Sequence, residues 1–408
     1  MTLSFWMQLV SVQLSTFQII TLVICMNYVI LIGAFIIGLS RLFKGSRVTA
    51  SSEDKSVDKN AMVSVIIAAR NEADSIGKCI NSLKRQDYLK EQFEVIIIND
   101  QSTDSTADII NQYINEGDIN LILLNTSGKV GKKAAVTEGI KQAKGEIILT
   151  TDADCEVSSG WISSFCGRFK STGAYYITGP VMFYKGRGFF NQVQCLEFNS
   201  LIASTAGAIG IGMPVMSNGA SMGVLKKTVT DMVSAKKPGD DLLRNNFESG
   251  DDVFLLQSIK SKYSSSKIAF LDDPTATVYT HSTGSLGEFL HQRLRWVSKS
   301  KGYSDTGVIY TSLSIFFFNL IILLSIFSNL ILTSFLFIMK CAIDYLLISK
   351  YDRKYGQREL NWLIPIAEPL IIIYTVLIGV IGNFAPYKWK GRKIKTFKTS
   401  IPIEPPAP

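Results

Sequence analysis

No residue between Phe17 and Leu39 carries a charge. An apolar stretch of this length crosses a bilayer as a helix, which takes roughly 20 residues. It is too long and too weakly flanked for a cleaved signal peptide, and no small-residue cleavage site follows it. Arg41, Lys44 and Arg47 come directly after it. Positive flanks face the cytoplasm, so the domain that follows is expected on the cytoplasmic side. Residues 1–47 therefore read as a membrane helix with a basic flank, and the polar residues 48–61 as a linker.

A chain of 408 residues leaves room for one good-sized globular domain. Its pattern is an alternation. Apolar, β-branched runs stand at 62–69, 94–99, 120–125 and 146–151, and helical patterns fill 72–85, 104–114 and 132–143. Such spacing predicts a parallel sheet covered by helices, and ligands of these sheets bind beyond the carboxyl ends of the strands. The polar residues sit at those ends. Arg70, Asn71 and Glu72 follow the first run, Asn99 and Asp100 the second, Asp152 and Asp154 the fourth. Asp104 reads as a helix cap rather than a ligand. Asp152 and Asp154, one residue apart, repel each other unless a cation lies between them.

Residues 189–223 are apolar and rich in glycine; they read as an interfacial segment, with an internal loop as the plainer alternative. Acidic pairs follow in KKPGDD (236–241) and in ESGDDVFLLQSIK (248–260). The second is preferred because it opens a helix, where carboxylates are favoured. The basic, aromatic HQRLRWVSKSKGY (291–303) then leads into apolar residues 308–348, enough for two spans with a turn near Ser328 and Asn329. A last apolar segment, 363–384, is interrupted by Pro365, Glu368 and Pro369. Three such spans would carry the basic tail outside, against the positive-inside tendency. A segment that lies in the interface or re-enters, signalled by Lys340 and Asp344, would return it to the cytoplasm, which is the expectation.

The net charge of +8 lies largely beside the apolar segments, at 41–47 and 387–398. It suits lipid headgroups rather than nucleic acid. Six scattered cysteines without C-x-x-C spacing fit reduced thiols. With only two histidines, a His-based zinc site or a Ser-His-Asp triad is disfavoured, and carboxylates are left as acid–base groups.

Taken in order, a nucleotide-type sheet, a D-x-D at a strand end, a late acidic pair and Gln292-Arg293-Leu294-Arg295-Trp296 beside a membrane span resemble the membrane-bound family 2 glycosyltransferases. The resemblance covers about residues 62–300. It implies an α/β fold of the GT-A kind (Rossmann-like, mostly parallel sheet) at 62–303, flanked by transmembrane helices, with membrane or interfacial helices at 304–386 and a basic, then Pro-rich tail at 387–408. By the resemblance, Ala68, Arg70 and Glu72 border the nucleotide and Asp100 contacts the base, although Gln101 stands where the family has glycine or a small residue. Lys132 lies near the diphosphate. Asp152 and Asp154 hold Mg²⁺ or Mn²⁺, with Asp154 the more direct ligand. Asp252 is the catalytic base, with Asp251 able to share the role, and Gln292, Arg295 and Trp296 close over the diphosphate and acceptor.

The chemistry agrees. Negative charge builds on the leaving diphosphate, and a hard cation between carboxylate and phosphate oxygens neutralises it. Arg295 adds a forked phosphate contact, and a carboxylate can take the proton of the attacking hydroxyl. Trp296 offers a face to a sugar or, equally, an interfacial anchor. The expected activity is inverting transfer of a sugar from a nucleotide donor, UDP-linked by the resemblance, to a lipid or lipid-linked acceptor at the inner membrane. A processive polysaccharide synthase is the alternative, and a catalytically silent nucleotide-sugar-binding scaffold is the alternative of another class.

Overall fold

The structure, a computed structural model, describes residues 15–51, 61–126, 131–234, 250–382, 384–389 and 392–394. The acidic pair at 236–241, most of the expected linker, the end of the tail and the side chain of Asp251 lie outside the described residues.

The first helix, α1 (Thr16–Ser51), continues past Val48, where the linker was expected to begin. No proline interrupts the polar residues there, so the hydrogen-bond ladder of the anchor runs on. The catalytic-type domain follows as β1 (Val63–Ala69), α2 (Ile76–Lys84), β2 (Phe93–Asn99), α3 (Thr106–Glu116), β3 (Asn120–Asn125), α4 (Lys132–Gln142) and β4 (Ile147–Thr150). β1, β2 and β4 are buried runs rich in β-branched residues, the edge strand β3 is rich in leucine and only partly buried, and each helix buries one stripe on the sheet. These four strands lie parallel in the order β3-β2-β1-β4, in register from Val63 against Phe93 and Ile147. The order reverses between β1 and β4, which opens a crevice at their carboxyl ends.

Beyond a short strand, β5 (Glu156–Val157), come α5 (Trp161–Thr172), β6 (Tyr176–Thr178), β7 (Val181–Phe183), α6 (Phe189–Gly210), β8 (Met222–Leu225), α7 (Lys226–Ser234), α8 (Asp251–Tyr263), β9 (Ile268–Phe270), β10 (Val278–Thr280) and α9 (Leu286–Ser298). β8 joins β4 antiparallel, and β6 and β9 complete a seven-stranded sheet in which only β8 runs against the rest. A second sheet, β5-β10-β7, stands beside it.

Residues 189–210, expected as part of an interfacial segment, form α6, a continuous helix of 22 residues. Its glycines do not break it. They face α1, where a Cβ on Gly38, Gly207 or Gly210 would collide with backbone oxygens of the other helix. Small residues let two helical backbones approach this closely.

The remaining helices are α10 (Thr306–Ser325), α11 (Leu330–Tyr355) and α12 (Ile364–Ile381), the last preceded by a 3₁₀ turn at Arg358–Leu363. The turn between α10 and α11 falls where the sequence put it, and Asn329 caps α11 by accepting from the N–H groups of Ile331 and Leu332. Four helical segments among the described residues are long and apolar enough to cross a membrane: Thr16–Gly45, Thr306–Ser325, Leu330–Tyr355 and Arg358–Ile381. Their outer faces carry large exposed apolar side chains, from Ile19 and Val23 to Phe327, Ile331 and Leu377. α12 nonetheless begins and ends against the α/β domain. Glu359, just before it, pairs with Lys185, and Gly382, just after it, packs on Val297 of α9. The strand at Tyr387–Trp389 then lies beside α9.

Candidate active site

The reversal between β1 and β4 collects the polar strand ends into one open cleft. It is lined by Ala68, Ala69, Arg70, Glu72, Asp100, Lys132, Asp152, Ala153, Asp154 and Arg295. Two loops there adopt left-handed backbone: Asn71 has φ 50° and Gln101 φ 56°. Gln101 thus takes the conformation that a glycine adopts without strain, so the loop keeps its path despite the larger residue.

The first side of the cleft is tied together by local bonds. Arg70 Nη1 donates to the carbonyls of Asp100 (2.6 Å) and Gln101 (3.0 Å). Its Nε is buried with no hydrogen-bond partner among the described residues. Asp100, itself buried, accepts from the N–H of Gly131 at 3.0 Å, which fixes the start of α4 and with it Lys132. Asp104 accepts from the N–H of Thr106 at the start of α3 and from the N–H of Ala73. Both contacts are structural.

On the other side, Asp152 pairs with Lys132 at 2.5 Å. Ligand atoms of Asp152, Asp154 and Cys155 lie within 4.8 Å of one another. Burial, with the adjacent carboxylates, pushes the Cys155 thiol well above its usual range, which disfavours the thiolate there. What remains is a pair of hard oxygen donors open to the cleft. That set suits Mg²⁺ or Mn²⁺ bridging to phosphate oxygens and does not suit zinc.

Asp252 does not line this cleft but abuts it. Thr150, the last residue of β4, donates its hydroxyl to the carbonyl of Gly219, and the Gly219 N–H donates to Asp252 Oδ2 at 3.2 Å. Asp252 also accepts from the N–H of Val253 at 2.7 Å and lies 3.5 Å from Lys299 Nζ. Burial would raise its pKa. Lys299, the Val253 N–H, Lys132 and the Gly219 N–H together outweigh burial and hold the carboxyl below the ordinary range.

Of the Q-x-x-R-W residues, only Arg295 reaches the cleft. Gln292 accepts from Arg293 at 2.5 Å. The guanidinium of Arg293 covers the ring of Trp296 at 4.1 Å, so that face of the indole is occupied by protein. Arg293 in turn pairs with buried Glu197 of α6, which accepts from Tyr374 of α12 at 2.6 Å. Arg293 therefore braces α9 against α6 and α12 through Glu197, with Gln292 and Trp296 in contact with its guanidinium. The sequence reading missed Lys299, Gly219, Glu197 and Tyr374. Only Lys299 left a trace, as part of the basic run after Trp296.

An open sheet with a strand-order reversal, acidic and basic groups beyond its carboxyl ends and a smaller sheet alongside is the arrangement of a GT-A fold. Residues 64–230 match the family model described as Glycosyl transferase family 2, which identifies this stretch as a family 2 glycosyltransferase domain. The glycosyltransferase AglE of Haloferax volcanii is 36% identical over 121 residues, 30% of this chain and 40% of that protein. A poly-beta-1,6-N-acetyl-D-glucosamine synthase of Staphylococcus epidermidis is 31% identical over 156 residues, 36% of each chain. The matches thus span well under two thirds of these relatives. Among solved structures, the mannosyltransferase PcManGT of Pyrobaculum calidifontis in complex with GDP-Man and Mn²⁺ is 14% identical with a TM-score of 0.46, over 86% of this chain and 99% of that one.

Proposed function

We propose that the chain is a membrane-bound, inverting glycosyltransferase. It transfers a sugar from a nucleoside-diphosphate donor, UDP-linked by the family resemblance, to a hydroxyl of a lipid or lipid-linked acceptor at the cytoplasmic membrane face. The observation that carries this reading is the convergence of Asp100, Lys132, Asp152, Asp154 and Arg295 on one cleft, with Asp252 tied through Gly219 to Thr150 at the end of β4. Four apolar helices support the membrane setting.

In this reading Ala68, Arg70, Glu72 and Asp100 bind the nucleoside end. Asp152 and Asp154 would hold Mg²⁺ or Mn²⁺, which when bound neutralises charge on the diphosphate. Lys132 moves from Asp152 to the phosphates as the donor enters, and Arg295 closes on them. Asp252 accepts the proton of the acceptor hydroxyl as its oxygen attacks the anomeric carbon. The bond to the diphosphate breaks on the opposite face, which inverts the centre. Asp251 stands next to this base at the same helix start.

The test is nucleoside-diphosphate release by the detergent-solubilised protein from a panel of UDP- and GDP-sugars, with Mn²⁺ or Mg²⁺ and membrane lipid extract. Release from one donor that stops on chelation and returns with the metal is expected. Nucleotide binding without release from any donor would favour a silent scaffold. The relative named as a poly-beta-1,6-N-acetyl-D-glucosamine synthase supports the second reading, a processive synthase. Product length separates the two, since single transfer adds one sugar.

A further inference from the structure

Lys299 lies outside every motif that the sequence suggested, yet it faces the carboxylate proposed as base. It stands three residues after Trp296, in the short turn that follows α9. Its Nζ is 3.5 Å from Asp252 Oδ1, and the two side chains keep only 13% and 14% of their exposure. The chain makes room for it. Gly250, the residue before α8, has φ 95°, and a Cβ there would come within 3.0 Å of Lys299 Cδ. Two charges so enclosed are costly unless each answers the other. The described groups facing Asp252 are Lys299 from this turn, Lys132 from α4 and the phenol of Tyr303. Lys132 is itself engaged at 2.5 Å by Asp152. Among the described residues, Lys299 is thus an ion-pair partner of Asp252, while Lys132 is held by Asp152.

We propose that Lys299 is a positioning residue: it holds the Asp252 carboxylate charged and in place, so that the base is ready before the acceptor arrives. This rests on the reading of Asp252 as base. It adds that α9, which brings Arg295 to the diphosphate, also sets the state of the base through its own end. Donor closure and base readiness are then coupled through one helix.

The experiment compares native, Lys299→Met and Lys299→Arg full-length protein in detergent, following donor hydrolysis with water in place of the acceptor across pH 4–9. An opposite charge at this range lowers a carboxyl pKa by roughly 1–3 units. The acidic limb of kcat/KM is expected to move up by about that much in Lys299→Met and to return in Lys299→Arg. A limb that stays in place in Lys299→Met overturns the proposal. A second measurement needs no turnover: thermal melting of Lys299→Met, Asp252→Asn and the double variant. Lys299→Met is expected to lower the melting temperature in the native background and much less, or not at all, beside Asp252→Asn. Equal losses in both backgrounds overturn the pairing. Full activity of Asp252→Asn would instead remove the base assignment itself, a result that the melting cycle does not depend on.

Discussion

The molecule answers the same electrostatic problem in two places and in two ways. At the cleft, Lys132 meets Asp152 at 2.5 Å, with 21% and 34% of their side chains exposed. Among the membrane helices, Lys340 meets Asp344 at 2.5 Å and Glu368 at 2.7 Å, and Tyr28 donates to Asp344 at 2.7 Å. There Lys340 and Glu368 keep only 4% and 3%. The first lysine can trade its carboxylate for a phosphate that arrives from solvent. The second has no solvent to trade with, and it ties α1, α11 and α12 into one bundle. The same residues thus make an exchangeable contact in one setting and a fixed one in the other, and accessibility decides which.

The sharpest contrast is in the size and kind of loss. Asp252→Asn is expected to lower kcat by about 10²–10⁴-fold, read as diphosphate release from the donor that the native protein uses. Lys340→Met leaves two buried carboxylates without their cation, and is expected to destabilise the protein by about 3–5 kcal/mol, seen as a lower melting temperature in detergent. Nucleotide affinity of the folded fraction should not change. If that variant melts like the native protein but loses nucleotide, the division between the two regions fails.

Lys132→Met should show the reverse. A part-exposed pair contributes about 0–1 kcal/mol to stability, while a charged hydrogen bond to the diphosphate is worth about 1.5–3 kcal/mol. Melting should barely shift, and donor affinity measured by calorimetry should fall by about one to two orders of magnitude. A variant that melts early with unchanged affinity would make Lys132 a structural residue.

The pH response follows from Asp252. Its folded pKa is below the unfolded one, so its contribution to stability is present above the unfolded value and is lost as pH falls through the folded value. Between pH 7 and 5 the proposed base stays ionised, and its titration should leave kcat/KM unchanged over that range. A limb near pH 6 would mean that another group is the base. The smallest effect belongs to Gln101→Gly. Relief of left-handed backbone, about 1–2 kcal/mol, is offset by the roughly 0.5–1 kcal/mol that glycine loses on folding. A rise in stability of about 1 kcal/mol or less with unchanged activity is expected from a denaturant titration.

The strands and the cleft were legible because both follow from near neighbours. Apolar runs such as Val95–Ile98 pair in parallel, and the polar residues just beyond them converge by topology alone. Helix α6 was not legible, because Gly207 and Gly210 read as breakers until the partner backbone of α1 is in place. Trp296 was half legible. Its motif marks α9, but the guanidinium one helical turn away that occupies its face is held by Glu197, 96 residues earlier. The partner of Asp252 was invisible for the same reason. Ion pairs set by tertiary packing leave no spacing rule in the chain.

The glycine contact between α1 and α6 has a consequence for geometry. Two helices that touch backbone to backbone have no side-chain layer in which to slide or tilt. The long apolar helix α1 and the domain helix α6 are thereby a single strut. For the proposed lipid-linked acceptor, the distance between its lipid foot and its reactive hydroxyl then becomes a criterion for selection.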